Sequence, residues 1–246
     1  MARLQCFLYS VFLVSTVLSF GVPIGGDDCE EEGQLKCPPG YKLFERENQR
    51  AWCMKYFPGN VTFFEAERTC RCQGGGSLSG IENTNELNWI LKQSEIAFSD
   101  VDADNGGVWL GAYRRTDCHG PVANWINKTE CNKANQFQWT DRHTLKKEDI
   151  WARWMEGAPH NNVIGKHSEN CVHLQVSLEA IGTPNRKLSG TFDNKVCTDL
   201  GTESTFITRG FVCGRPPKGG SGNGGGYSGG GSDFVVIGAG APEKKP

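Results

Sequence analysis

Trp109-Leu110-Gly111-Ala112 follows a turn-forming Asn105-Gly106-Gly107 and opens the β half of the chain. Val108 to Ala112, Phe137 to Trp139, Val172 to Val176 and Phe211 to Cys213 are short apolar or alternating runs between polar, Gly-rich loops, the pattern of short strands. Upstream the period is helical. Thr62 precedes Glu65 by three residues, a capping box, and Phe63, Ala66 and Cys70 then share one helical face. Asn83 and Glu86 repeat the arrangement ahead of Leu87, Ile90 and Leu91. Two helices followed by several short strands predict an α+β fold.

The ends of the chain are of a different character. Met1-Ala2-Arg3 precedes an apolar run from Leu4 to Phe20, with small residues at Ser19 and Gly21. This predicts a signal peptide over residues 1–21 and a secreted product. No later segment approaches the roughly 20 apolar residues that cross a bilayer. Residues 22–36 form a linker containing the acidic Asp27-Asp28-Cys29-Glu30-Glu31-Glu32. Residues 37–214 hold every tryptophan, and their 178 positions suffice for one domain with its own core. Beyond them, nine of the thirteen residues from Gly219 to Gly231 are glycine. Such a composition cannot bury enough apolar surface to order itself, so residues 215–246 read as a flexible tail. Its apolar Phe234-Val235-Val236-Ile237 is too short for a membrane helix, and the charged end does not suit a lipid anchor.

Ten cysteines remain once Cys6 leaves with the signal peptide. An even number in an exported chain predicts a disulfide framework. A zinc knuckle is the rival reading, but Cys70-Arg71-Cys72 has one intervening residue where two to four are usual. The net charge is −2 with Lys and Arg scattered, which argues against nucleic acid or a polybasic membrane patch as partner.

Taken together, the two-helix start, Trp109-Leu110-Gly111-Ala112, Phe137-Gln138-Trp139-Thr140-Asp141, Trp154-Met155-Glu156-Gly157-Ala158-Pro159 and the closing Phe211-Val212-Cys213 resemble the C-type lectin-like domain. The likeness covers Cys37 to Gly214. The opening Cys37-Pro38-Pro39-Gly40-Tyr41 is similar to the family's long form, as in the secreted members abundant in nematodes. The resemblance implies a disulfide-stapled α+β fold with small antiparallel sheets, a long loop region and a buried Trp109. It also implies the bridges Cys70–Cys213 and Cys171–Cys197, with Cys37–Cys53 closing an N-terminal hairpin. Cys118 and Cys131 sit together in an insertion between the first two core strands and predict a local bridge. Cys29–Cys72 is left, with the alternative that Cys70 and Cys72 trade roles. Asn60-Val61-Thr62 and Asn127-Lys128-Thr129 are N-glycosylation sequons.

Sugar-binding members of this family hold calcium in the long loop region, where sugar hydroxyls complete its oxygen shell. The residues that match their ligand positions are altered here. The Glu-Pro-Asn type of triplet aligns to Ala158-Pro159-His160, in which Ala158 offers no ligand and His160 offers nitrogen. Glu169 keeps the glutamate before Cys171. The Trp-Asn-Asp segment aligns to Phe192-Asp193-Asn194, with the two oxygen-bearing residues swapped. In one reading Glu169, Asp193 and Asn194, helped by Asn161 or Asn162 and beside His160, hold calcium and a sugar. In the other these residues cap loops and turns, which Asn and Asp do often. His160, His167 and His173, with Glu169 nearby, raise zinc as a further possibility.

No Gly-x-Ser-x-Gly or His-Glu-x-x-His motif occurs, and every mature cysteine has a bridge partner. Recognition is therefore expected, not catalysis. The partners implied are glycans or extracellular proteins, taken either through a calcium site or by a calcium-independent surface that includes the Cys118–Cys131 insertion. No heptads precede the domain, so a coiled-coil trimer has no support.

Overall fold

The computed structural model describes residues 34–73, 76–120, 124–160, 162–164, 167–200 and 205–219. The expected signal peptide, nearly all of the acidic linker, Cys29 and almost all of the Gly-rich tail lie outside them. A hairpin of β1 (Lys42–Arg46) and β2 (Arg50–Pro58) leads into helix α1 (Phe63–Cys72), the short β3 (Ser77–Leu78) and helix α2 (Thr84–Ser99). There follow β4 (Asn105–Arg114), β5 (Phe137–Trp139), α3 (Glu148–Trp151), and the two-residue strands β6 (Val163–Ile164) and β7 (His167–Ser168). The chain closes with β8 (Cys171–Ser177), α4 (Pro184–Leu188), β9 (Phe192–Lys195) and β10 (Thr208–Arg215).

Both long helices begin as their sequences dictate. Thr62 accepts from the Glu65 amide at 3.3 Å while its own amide donates to Glu65 Oε2 at 2.9 Å, so two otherwise orphaned helix donors are satisfied. Asn83 caps α2 by accepting from the Glu86 amide at 3.0 Å. Glu86 has a different task from Glu65. Fully buried, it takes a bidentate pair from Arg46 at 2.7 and 3.0 Å, tying α2 to the first hairpin.

The main sheet runs β1-β2-β10-β4-β8-β9, with β3 added to β10 and β5 to β4. The last strand is thus inserted between the second and the fourth, antiparallel to β2 and parallel to β4. Strand residues alternate between faces. On β4, Val108, Leu110 and Ala112 join the α2 side with Leu87, Ile90 and Phe98, while Trp109 joins the α1 side with Phe63, Leu78 and Phe211. Trp109 donates its indole N–H to the Val61 carbonyl at 2.8 Å and meets Phe63 edge-on at 5.9 Å. Gly111 is where β4 is crossed most tightly. Its amide donates to the Ser79 carbonyl at 2.8 Å, and a Cβ there would overlap the Leu78 carbonyl. Trp139, Trp151 and Trp154 are buried and stack in a column, at 4.5 and then 5.8 Å.

Four disulfides staple this arrangement: Cys37–Cys53, Cys70–Cys213, Cys118–Cys131 and Cys171–Cys197. Cys70–Cys213 joins α1 to β10 across 143 residues, and closing a loop of that size restricts the unfolded chain by about 5 kcal/mol. It also decides between Cys70 and Cys72, because Cys70 is the residue on the buried face of α1. Cys72 is exposed at the end of the helix, and its expected partner Cys29 lies outside the described residues.

Gly107 on β4 packs against His173 on β8, and a Cβ at Gly107 would overlap the imidazole ring. Gly107→Ala is expected to lower stability by about 3 kcal/mol, at the upper end for overpacking, read from urea unfolding with the m-value unchanged.

Candidate functional site

Strands β8 and β9 pair antiparallel with Val172 opposite Asn194 and His173 opposite Asp193. Side chains 193 and 195 share one face and 194 takes the other. Asp193 and Asn194 therefore do separate jobs. Asn194 is fully buried under the long loop. Its Oδ1 accepts from the His160 amide at 2.6 Å, and its Nδ2 donates to the carbonyls of His160 and Glu169, both at 2.9 Å. The amide group is committed to holding the two ends of the loop together.

Asp193, also buried, lies 2.8 Å from Lys195 Nζ through Oδ2 and 3.5 Å from His160 Nε2 through Oδ1. Its Oδ1 also accepts from the Asn194 amide at 2.9 Å, and Gln175 approaches Oδ2 at 3.4 Å. Two side chains able to carry positive charge thus flank the carboxylate. Glu169 is 6% exposed, and its Oε2 is buried without a hydrogen-bond partner. Burial raises the Glu169 pKa, and the Asp193 carboxylate adds to the rise against His160, Lys195 and Asn162.

Beneath the loop sits Arg114, the last residue of β4. Only 3% exposed, it donates to the His160 carbonyl at 2.6 Å, the Glu169 carbonyl at 3.1 Å and Asn170 Oδ1 at 3.1 Å, and also to Gln136. Its guanidinium lies 4.5 Å from the Phe137 ring centre and 5.7 Å from that of Trp125 in the disulfide-closed insertion. Burial pulls its pKa down to about 10, opposed by Glu169, so it remains charged at neutral pH. Arg114 welds the insertion and the long loop into one body.

His160, Glu169, Asp193 and Asn194 are thus brought together. Asn162 is exposed, and its carbonyl accepts from the Glu169 amide at 3.4 Å; Asn161 lies outside the described residues. The three histidines do not converge. His167 is exposed on the small β6–β7 hairpin, whereas His173 is 1% exposed and lies 4.6 Å from the Trp109 ring. Among the described residues no three His, Cys, Asp or Glu side chains are grouped to hold a metal. Sequence reading passed over Arg114 and Lys195. Arg114 shares the face of Leu110 and Ala112, where a charge is anomalous, and Lys195 shares the face of Asp193.

The sequence profile of the family described as C-type lectin domain-containing protein 141/158 matches residues 44–216. The chain belongs to this C-type lectin domain family. C-type lectin domain-containing protein 158 of Caenorhabditis elegans is 25% identical over 223 residues, covering 87% of this chain and 99% of that protein. A C-type lectin of Cerberus rynchops is 30% identical over 126 residues, 50% of this chain and 61% of that one. The mouse scavenger receptor C-type lectin carbohydrate-recognition domain superposes with a TM-score of 0.41 at 18% identity, over 74% of this chain and 98% of that one.

Two predictions follow from this geometry. Asn194→Asp keeps the shape but turns a carboxylate oxygen toward the two loop carbonyls; it should cost at least about 3 kcal/mol of unfolding free energy, measured by denaturant. Burial lowers the His173 pKa to about 3, with Lys195 adding to it. The neutral ring stabilises the fold fully above its ordinary pKa near 6.5. That contribution is lost as pH falls from there toward 3, at about 1.4 kcal/mol per unit. His173→Gln should flatten the stability profile between about pH 6 and 4 by that slope.

Proposed function

We propose that the chain is a secreted, extracellular recognition module that takes a glycan or a protein on its long-loop face without calcium. The observation that supports this is the commitment of Asn194: its amide is spent on the loop's own backbone, and beside it Asp193 faces Lys195 and His160. A calcium ion needs six to eight oxygens. Ala158 supplies no side-chain oxygen here, and Asp193 already has the Lys195 ammonium beside it. The recognition face would be the long loop together with the Cys118–Cys131 insertion that Arg114 fixes to it, and catalysis is not part of the proposed role. The module would comprise residues 37–214, preceded by a signal peptide at 1–21 and the linker 22–36, and followed by the tail 215–246. Asn60 and Asn127 are both exposed and would carry N-linked glycans.

One observation favours a second reading. Glu169 Oε2 is a buried carboxylate oxygen with no partner, near enough to Asp193 for that carboxylate to add to the rise in its pKa, and a cation would relieve it. This is the calcium-dependent, sugar-binding reading, with Glu169, Asp193 and Asn194 as ligands.

The melting temperature in millimolar calcium and in EDTA separates them. No difference is expected. Saturation to 100 times a dissociation constant would add about 2.7 kcal/mol, roughly a few degrees, and a rise of that size would overturn the calcium-free reading. Glu169→Gln sharpens the test. With its pKa raised by burial, the glutamate's contribution to stability is present at acid pH and lost as pH rises through its folded value. At neutral pH the variant should melt higher than the parent in both buffers, whereas a calcium ligand's removal would erase a calcium-induced rise.

A further inference from the structure

Strand β8 starts at Cys171 beside the long loop and runs for seven residues to Ser177, so its far end is roughly 20 Å away. There it meets the end of helix α2. Between the last two turns of α2 and the segment Leu178–Arg186 lies an open groove of about 630 Å³, within the size range of ligand-binding clefts. Its apolar lining comes from Ile96, Leu178, Ala180 and Ile181. Ile181 is 93% exposed and Ile96 48%, while Val101, just past the helix, is 62% exposed. These are three of the six exposed large apolar side chains among the described residues. Gathered at one end of the domain, they mark an interaction surface, which singly scattered ones would not.

Charge selects the partner. Glu95, Asp100 and Glu179 line the same groove. The exposed Asp102 and Asp104 follow on the turn out of α2, where the Asp104 carbonyl accepts from the Leu178 amide at 2.6 Å. Helix α2 has no basic residue in its last turn, so the negative end of its dipole adds to these five carboxylates. Lys92 and Arg186 oppose them, but Arg186 is already engaged by Glu95 at 3.8 Å and by the Ser177 carbonyl. Among the described residues no ion pair engages Asp100, Asp102, Asp104 or Glu179. Glu179 is also held in place, accepting from Asn185 Nδ2 at 2.6 Å and Asn105 Nδ2 at 3.2 Å.

We infer that this groove docks a cationic, apolar segment of a partner protein. A Leu, Ile or Val side chain of that segment packs against Ile96 and Ile181, and neighbouring Lys or Arg groups meet Asp100, Asp104 and Glu179. The same charges oppose other occupants. A second copy seated face to face would set five carboxylates against five, and an anionic membrane surface would be repelled. The groove lies at the other end of β8 from the long loop, so this contact goes beyond the recognition proposed there and does not rest on it.

Amide chemical shifts of the isotope-labelled full chain, expressed with its disulfides, test this with a blocked hexapeptide of alternating Lys and Leu. In low salt the peptide should cause saturable shifts in the last two turns of α2 and in Leu178–Arg186, and none in the long loop. Ile96→Ser/Ile181→Ser should raise the Kd about tenfold, as loss of an apolar anchor does. Asp100→Lys/Asp104→Lys should raise it by about as much in low salt, a difference that molar salt removes. All four positions are exposed, so the variants keep the fold. A hexapeptide of alternating Glu and Leu should leave the groove unshifted. The proposal is overturned by three outcomes: no saturable shift of the groove with the Lys and Leu peptide, equal affinity in parent and variants, or shifts as large with the Glu and Leu peptide. Sedimentation velocity of the free chain adds a fourth. A concentration-dependent dimer lost in Ile96→Ser/Ile181→Ser would assign the groove to a second copy instead.

Discussion

Strand β4 runs through the middle of the sheet with both faces covered, and the rest of the fold is arranged around that burden. Val108, Leu110 and Ala112 face the α2 core and Trp109 faces the α1 core, so a helix is needed on each side. A strand with no solvent face leaves no room for error at its crossings. Gly111 lets β3 pass over it and Gly107 lets His173 lie against it, and in both places a side chain would strike its neighbour. Strand β10 completes the enclosure by entering between β2 and β4, and Cys70–Cys213 ties it to the helix that covers Trp109.

The long-loop face inherits its rigidity from the same strand. Arg114 ends β4 on the α2 side, where alternation would place an apolar residue, and its donors reach up to the loop carbonyls. Asn194 reaches those carbonyls from β9. Two buried polar side chains thus share the work of organising the loop, while Glu169 Oε2, Gln175 Oε1 and His173 Nδ1 beside them are buried without hydrogen-bond partners.

Much of this was legible in advance. The capping box at Thr62 and Glu65, the buried face Phe63, Ala66 and Cys70, and the β4, β5, β8 and β10 segments all follow from local chemistry and periodicity. Strand β9 was not marked as one, because Phe192-Asp193-Asn194-Lys195 is polar at three of four positions. It is held as a strand by pairing to β8, a long-range cause that no local window contains. The hairpin β1–β2 entered only through the family likeness. Helices α3 and α4 are too short to carry a periodic signal.

The sequence by itself determined the fold class and the membership of the chain in its family, because the helix caps, the strand periods and the cysteine and glycine positions act locally or are shared with relatives. The tertiary structure alone decided the state of the site. Asp193 and Asn194 are neighbours in the chain, yet strand alternation sends one to Lys195 and His160 and the other to the loop backbone. Charge behaved in the same way. Scattered along the sequence, the basic residues gave no pairing; the bridge between the two ends of the domain sets Lys36 directly opposite Lys218. Whether a polar side chain is free to bind depends on what already surrounds it, and those surroundings come from residues far away in the chain.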